Sequence, residues 1–190
     1  MAIEQRQPTG YGITAAGWQL GAGTDRLDAV DDTLGANDGD TTYIFQTVSG
    51  QYQDYTFPVF TVPAGATINH VTVRGYFKYV GTGSDVRLNI ANETPTRSEG
   101  ADISVASSAS YGELTRQMTT NPFTAAAWTV NEVNTEGSTA NRLGQFGVRS
   151  IGPNTDIRCT QLWLEVDYTE AVGGGLSVFL EEPIIGGSIF

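Results

Sequence analysis

The side chains able to do chemistry are few in this 190-residue chain, which holds one histidine, His70, and one cysteine, Cys159. His70 falls on the polar face of an alternating stretch, and no G-x-S-x-G elbow supplies a serine nucleophile for it. One His with one Cys cannot build a usual zinc site. Cys159 lies among strand residues and reads as a buried or half-buried thiol. No phosphate-binding glycine loop sits between a strand and a helix. Carboxylates are spread along the whole chain, so no pair marks itself out for glycoside hydrolysis. No catalytic residue is assigned, and the chain reads as a protein that is not an enzyme.

Two groupings point to binding instead. The loop D-D-T-L-G-A-N-D-G-D offers Asp31, Asp32, Asn37, Asp38 and Asp40, hard oxygen donors of the kind calcium takes. It lacks the spacing and flanking helices of an EF-hand, and Asp and Asn also gather in turns because they bond their own backbone. Calcium is therefore the one cofactor the sequence suggests. The second grouping is aromatic. Trp163, Tyr76 and Trp18 fall on or near strands, where aromatic rings can stack on sugars. Rings so placed also serve ordinary sheet packing and contact between subunits.

The elements that must carry these residues are strands. From Leu162 on, Leu162, Leu164, Val166 and Tyr168 alternate with Trp163, Glu165 and Asp167, the period of a half-buried strand. In Thr67–Tyr79, Val71, Val73, Phe77 and Tyr79 face one way, and His70, Thr72, Arg74, Tyr76 and Lys78 the other. This stretch and 85–91 are expected to form a hairpin across Gly81-Thr-Gly83. Further strands are expected at 26–30, 41–48, 52–62, 101–106, 111–118 and 143–151, with Pro58 marking an edge or bulge. A helix is expected over 124–134, capped by Thr124. About nine strands near ten residues apart predict an antiparallel β-sandwich of jelly-roll type. The division is an N-terminal arm (1–24), the sandwich (25–170) and a tail (171–190).

Composition narrows the partners. The net charge of −11 disfavours nucleic acid. No apolar run is long enough for a membrane helix, and the N-terminus lacks the pattern of a signal peptide. Synthesis in a cytoplasm is expected.

Four stretches, N-D-G-D-T-T-Y-I (37–44), V-T-V-R-G (71–75), N-P-F-T-A-A-A-W-T-V-N-E-V-N (121–134) and I-R-C-T-Q-L-W-L-E-V-D-Y (157–168), occur in that order. The set resembles a family of jelly-roll domains in tailed-bacteriophage structural proteins, over roughly residues 26–169. The resemblance implies a capsid or tail decoration subunit, a virion protein assembled in the host cytoplasm. The alternative is a carbohydrate-binding or adhesion module.

The tail lies beyond that resemblance. After Gly173-Gly-Gly175, the residues Leu176, Val178, Phe179, Leu180, Ile184, Ile185, Ile189 and Phe190 are too apolar to stay in water. They either pack back on their own domain or add to another chain, and strand addition to a partner's sheet edge is the favoured outcome. The partners expected are further copies of the chain or other virion proteins.

Overall fold

Period-two alternation becomes strand throughout the computed structural model, which describes residues 1–14, 17–94, 96–106, 109–134, 140–152 and 156–171. The tail residues Leu176 to Phe190 expected to bind a partner lie outside the described residues.

In chain order the strands are β1 (Ala2–Arg6), β2 (Gly10–Tyr11), β3 (Gln19–Ala22), β4 (Tyr43–Gln46), β5 (Tyr52–Thr56), β6 (Thr67–Val80) and β7 (Asp85–Ala91). Then come β8 (Arg97–Glu99), β9 (Ile103–Ser104), β10 (Gly112–Met118), β11 (Thr120–Asn121) and β12 (Ala126–Ala127). A single helical turn, α1 (Val130–Val133), precedes β13 (Gln145–Ile151) and β14 (Asp156–Thr169) among the described residues.

Two six-stranded antiparallel sheets result, with β11 and β12 paired as a separate ribbon. The first runs β10-β6-β14-β4-β3, with β1 also on β14; the second runs β2-β5-β13-β7-β8, with β9 also on β7. Val71, Val73, Phe77, Leu162, Leu164 and Val166 from the first sheet share one buried core with Tyr55, Val86, Leu88, Ile90, Phe146 and Val148 from the second. Each such side chain contributes about 1.5–3 kcal/mol by leaving water. The all-β jelly-roll-like sandwich is therefore as the alternation predicts.

A bulge in β14 decides what faces outward. Cys159 pairs with Phe77 and Gln161 with Tyr76, so Thr160 has no partner of its own across the ladder. The extra residue puts both Cys159 and Leu162 in the core. Trp163, Glu165 and Asp167 consequently belong to the outer face, as their alternation implies.

Several local expectations are corrected. β6 and β7 form no hairpin; the chain crosses between them from one sheet to the other. Alternation shows which side of a strand is apolar but not whether its neighbour lies beside it or across the core. The stretch Arg26–Val30 is a turn, with the Asp25 carboxylate accepting from the backbone of Leu27 and Asp28. The strand begun at Tyr52 ends at Thr56, two residues before Pro58. The helix shrinks to one turn capped by Thr129 rather than Thr124, because Thr129 and Glu132 form a reciprocal capping box. Ahead of it, Asn121 accepts from Phe123 N at 2.9 Å and Ala125 takes a positive φ of 57°, which the expected helix cannot contain. Within residues 1–24, β1, β2 and β3 pair with β14, β5 and β4.

Candidate functional site

Register brings together residues far apart in sequence on the outer face of the first sheet. Trp163 pairs with Arg74 and Glu165 with Thr72, while Glu113 of β10 lies opposite Tyr76. Gln5 of β1 lies opposite Glu165. Partners across an antiparallel ladder share a face, so these side chains form one patch.

At its centre the Tyr76 ring stacks on Trp163, with centroids 5.6 Å apart and planes 30° from parallel. Arg74 spans the patch, donating from Nη1 to Glu113 Oε1 at 2.6 Å and from Nη2 to Glu165 Oε1 at 3.1 Å. Gln5 Nε2 donates to the other Glu165 oxygen at 2.9 Å. Burial opposes the charge on Arg74, and the bonds to Glu113 and Glu165 more than offset it, so its pKa is raised.

One wall comes from the acidic loop. Between the stretches of β14 covered by β4 and β1, the loop takes over the free edge: Leu162 N donates to Val30 O at 3.0 Å and Asp31 bridges to Gln161. The Gln161 amide donates to Asp32 O at 2.6 Å and Thr33 O at 2.9 Å. These bonds set Leu34 and Gly35 beside the aromatic pair. The result is an open groove of about 430 Å³ lined by Gln5, Leu34, Gly35, Arg74, Tyr76, Glu113, Trp163 and Glu165. On the same sheet face, Trp163 Nε1, Arg74 Nε and Thr72 Oγ1 are buried without a hydrogen-bond partner. Such groups are uncommon in folded proteins.

The three aromatic residues singled out from sequence part company. Tyr76 and Trp163 meet, although Trp163 is only 5% exposed, so Tyr76 and the polar rim present most of the contact surface. Trp18 is no sugar platform: it is wholly buried, and its Nε1 donates to Gln51 O. Its alternation signal was weak because β3 begins only at Gln19. The rim residues Gln5, Glu113 and Leu34 were missed, since nothing in the sequence gives the register that brings them to Trp163. Arg74 and Glu165 were legible as members of the polar faces that carry Tyr76 and Trp163.

The calcium donors do not converge. Asp38 accepts from Thr42 and Thr160, and Asp32 accepts from Asp38 N at 2.9 Å. Asp40 lies against Lys78, Arg158 and Tyr111; the Lys78 bond leads the effects that lower its pKa. Burial raises Asp31 and Asp32. No group of three or more His, Cys, Asp or Glu able to hold a metal occurs among the described residues. His70 lies opposite Asp167 on the outer face. Cys159 is fully buried, which pushes its thiol pKa up and leaves it a core residue.

No family model and no curated protein matches the sequence. Solved structures do match. The CBM22-1 xylan-binding domain from Paenibacillus barcinonensis Xyn10C is 13% identical, with a TM-score of 0.44, and the match covers 87% of this chain and 94% of that one. The C-terminal CBM6 of LamC from Zobellia galactanivorans is 10% identical, with a TM-score of 0.43, over 87% and 98% of the two chains. The carbohydrate-binding module CBM6cm-2 from Cellvibrio mixtus lichenase 5A, solved with cellotriose, is 13% identical, with a TM-score of 0.40, over 90% and 100%.

These neighbours correct the expectation of a bacteriophage decoration subunit in a virion: they are carbohydrate-binding modules, and none of those described is a phage protein. Identity this low assigns the chain no ligand, so what it binds has to be argued from its own groove.

Proposed function

We propose that the chain is a non-catalytic carbohydrate-binding module that holds glycan in the groove over Tyr76 and Trp163. The observation that carries this reading is an aromatic stack set in an open groove and rimmed by planar polar side chains. A pyranose has an apolar C–H face and an equatorial ring of hydroxyls. The first suits the face of an aromatic ring; the second suits guanidinium, carboxylate and amide groups, which offer paired donors and acceptors in one plane. Arg74, Glu113, Glu165 and Gln5 supply that plane around Tyr76. Arg74 and Gln5 are held by the two glutamates before ligand arrives, so little side-chain entropy is left to lose on binding.

A glycan array probed with the wild type, Tyr76→Ala and Trp163→Ala tests this. Both variants should lose binding by about tenfold or more, equivalent to about 1.4 kcal/mol. Because Trp163 is packed, Tyr76→Ala is the cleaner variant, and Tyr76→Phe should retain most binding by keeping the stack. Arg87→Gln, on the opposite sheet, should bind as the wild type does. Array binding unaltered in Tyr76→Ala and Trp163→Ala would sink the proposal.

A further inference from the structure

Resting on that reading, we propose that the groove takes an internal stretch of an uncharged glycan chain and turns acidic glycans away. Two separate observations carry it: the state of the arginines and the shape of the groove.

Every arginine lining the groove is already paired. Arg74 lies between Glu113 and Glu165, and Arg6, in the adjoining pocket, pairs with Glu4 while its Nε donates to Val59 O at 3.0 Å. A uronate or sulfate group arriving here would have to compete with carboxylates fixed at hydrogen-bonding distance. It would also meet Glu113, Glu165 and Asp31 in a chain of net charge −11. Repulsion of like charge and loss of hydration both oppose it. Neutral hydroxyls face no such penalty.

The groove also continues. A second open pocket of about 350 Å³ shares Gln5 and Leu34 with the first and extends past Thr9 to Pro58. Leu34 and Gln5 line both, so the two open pockets adjoin. A site for a chain terminus needs a blind wall; two open pockets side by side accept the middle of a chain.

Affinity electrophoresis of the intact chain tests both parts, with gels containing xylan, mixed-linkage β-glucan or galactomannan, then polygalacturonate or hyaluronate, then chitosan. At least one neutral polymer should retard the protein. Neither acidic polymer should, at low salt or at high salt, where screening relieves simple repulsion but not the occupied arginines. For the retarding polymer, calorimetric titration should show its hexasaccharide binding about tenfold tighter than its disaccharide. Thr9→Trp, which fills the second pocket from an exposed position, should remove that gain while leaving the disaccharide unchanged. Retardation by an acidic polymer or tightest binding to chitosan, abolished by Tyr76→Ala, would overturn the uncharged class while leaving the groove a glycan site. Equal affinity for disaccharide and hexasaccharide would overturn the mid-chain geometry. If no polymer of any charge retards the protein, the glycan reading of the groove fails, and this inference fails with it.

Discussion

The two sheets each present a tyrosine on their outer face, and the two are treated in opposite ways. On the second sheet, Tyr52 is sandwiched between the Arg97 and Arg149 guanidinium groups, 4.4 and 5.0 Å from its ring centre. Its hydroxyl bonds Glu99, whose carboxylate also accepts from Arg87 at 3.0 Å and Arg149 at 2.8 Å. Asp54, wholly buried beside it, accepts from Arg97 Nε at 3.1 Å and Thr14 N at 3.3 Å, and from Asn89 in the amide orientation its neighbours require. Gly147 makes room for this: a Cβ there would stand 2.1 Å from Gln53 O. Cations therefore cover that aromatic face, and its carboxylates are closed by guanidinium groups. On the first sheet Tyr76 is covered on one side by another aromatic ring, and the space above is left open. One architecture thus gives one face whose aromatic ring is covered by cations and one whose aromatic ring is left open. The difference teaches that, on a sheet surface, aromatic content alone does not mark a binding face; what sits on the ring does.

The comparison can be broken most forcefully at Asp54. Asp54→Ala strands Arg97 beside a buried void, and chemical denaturation should show a loss of about 3–5 kcal/mol. Glycan binding measured well below the melting temperature should be unaffected, and a parallel loss of both would mean the faces are not independent. Next in size is the acid response of Glu99. Burial pushes its pKa up, but the hydroxyl of Tyr52 and the guanidinium groups of Arg149 and Arg87 pull it down to about 2. A carboxylate depressed in the folded state stabilises above its unfolded pKa and loses that contribution as pH falls toward the folded value. Melting temperature should therefore drop between about pH 4.5 and about pH 2, and Glu99→Gln should flatten that slope while costing about 2 kcal/mol at neutral pH. A smaller effect belongs to the acidic loop. Two of its carboxylates, Asp38 and Asp40, are occupied by Thr42, Thr160, Lys78 and Arg158, so adding calcium or a chelator should shift the melting temperature by no more than about one degree. A larger shift would show that the loop, and with it the groove wall at Leu34, is remade by metal.

The sequence showed which sides of the strands are apolar, because a buried sheet face enforces alternation. Val71, Val73, Phe77, Leu162, Leu164 and Val166 were legible for that reason. Pairing was not, since Val86, Leu88 and Ile90 read alike whether they lie beside β6 or across the core from it. Long-range register therefore hid Gln5 and Glu113, even though the polar faces bearing Tyr76 and Trp163 were in plain view. Short segments failed for a different reason. In Arg26–Val30 and residues 124–134, local side-chain bonds from Asp25, Asn121 and Thr129 override weak strand and helix preference. The second face was missed altogether as a network, because the charges of Glu99, Arg87 and Arg149 acquire meaning only once β8, β7 and β13 are neighbours.

The most direct test uses the three tryptophan indole N–H signals in a nitrogen-15 NMR titration with the tightest glycan found on the array. Trp18 and Trp128 donate to Gln51 O and Met118 O, whereas Trp163 Nε1 is buried without a partner in a residue that lines the groove. The Trp163 signal should move saturably while the other two stay in place, and Tyr76→Ala should abolish the movement. Saturable binding with the Trp163 signal unmoved would place the sugar elsewhere and contradict the account.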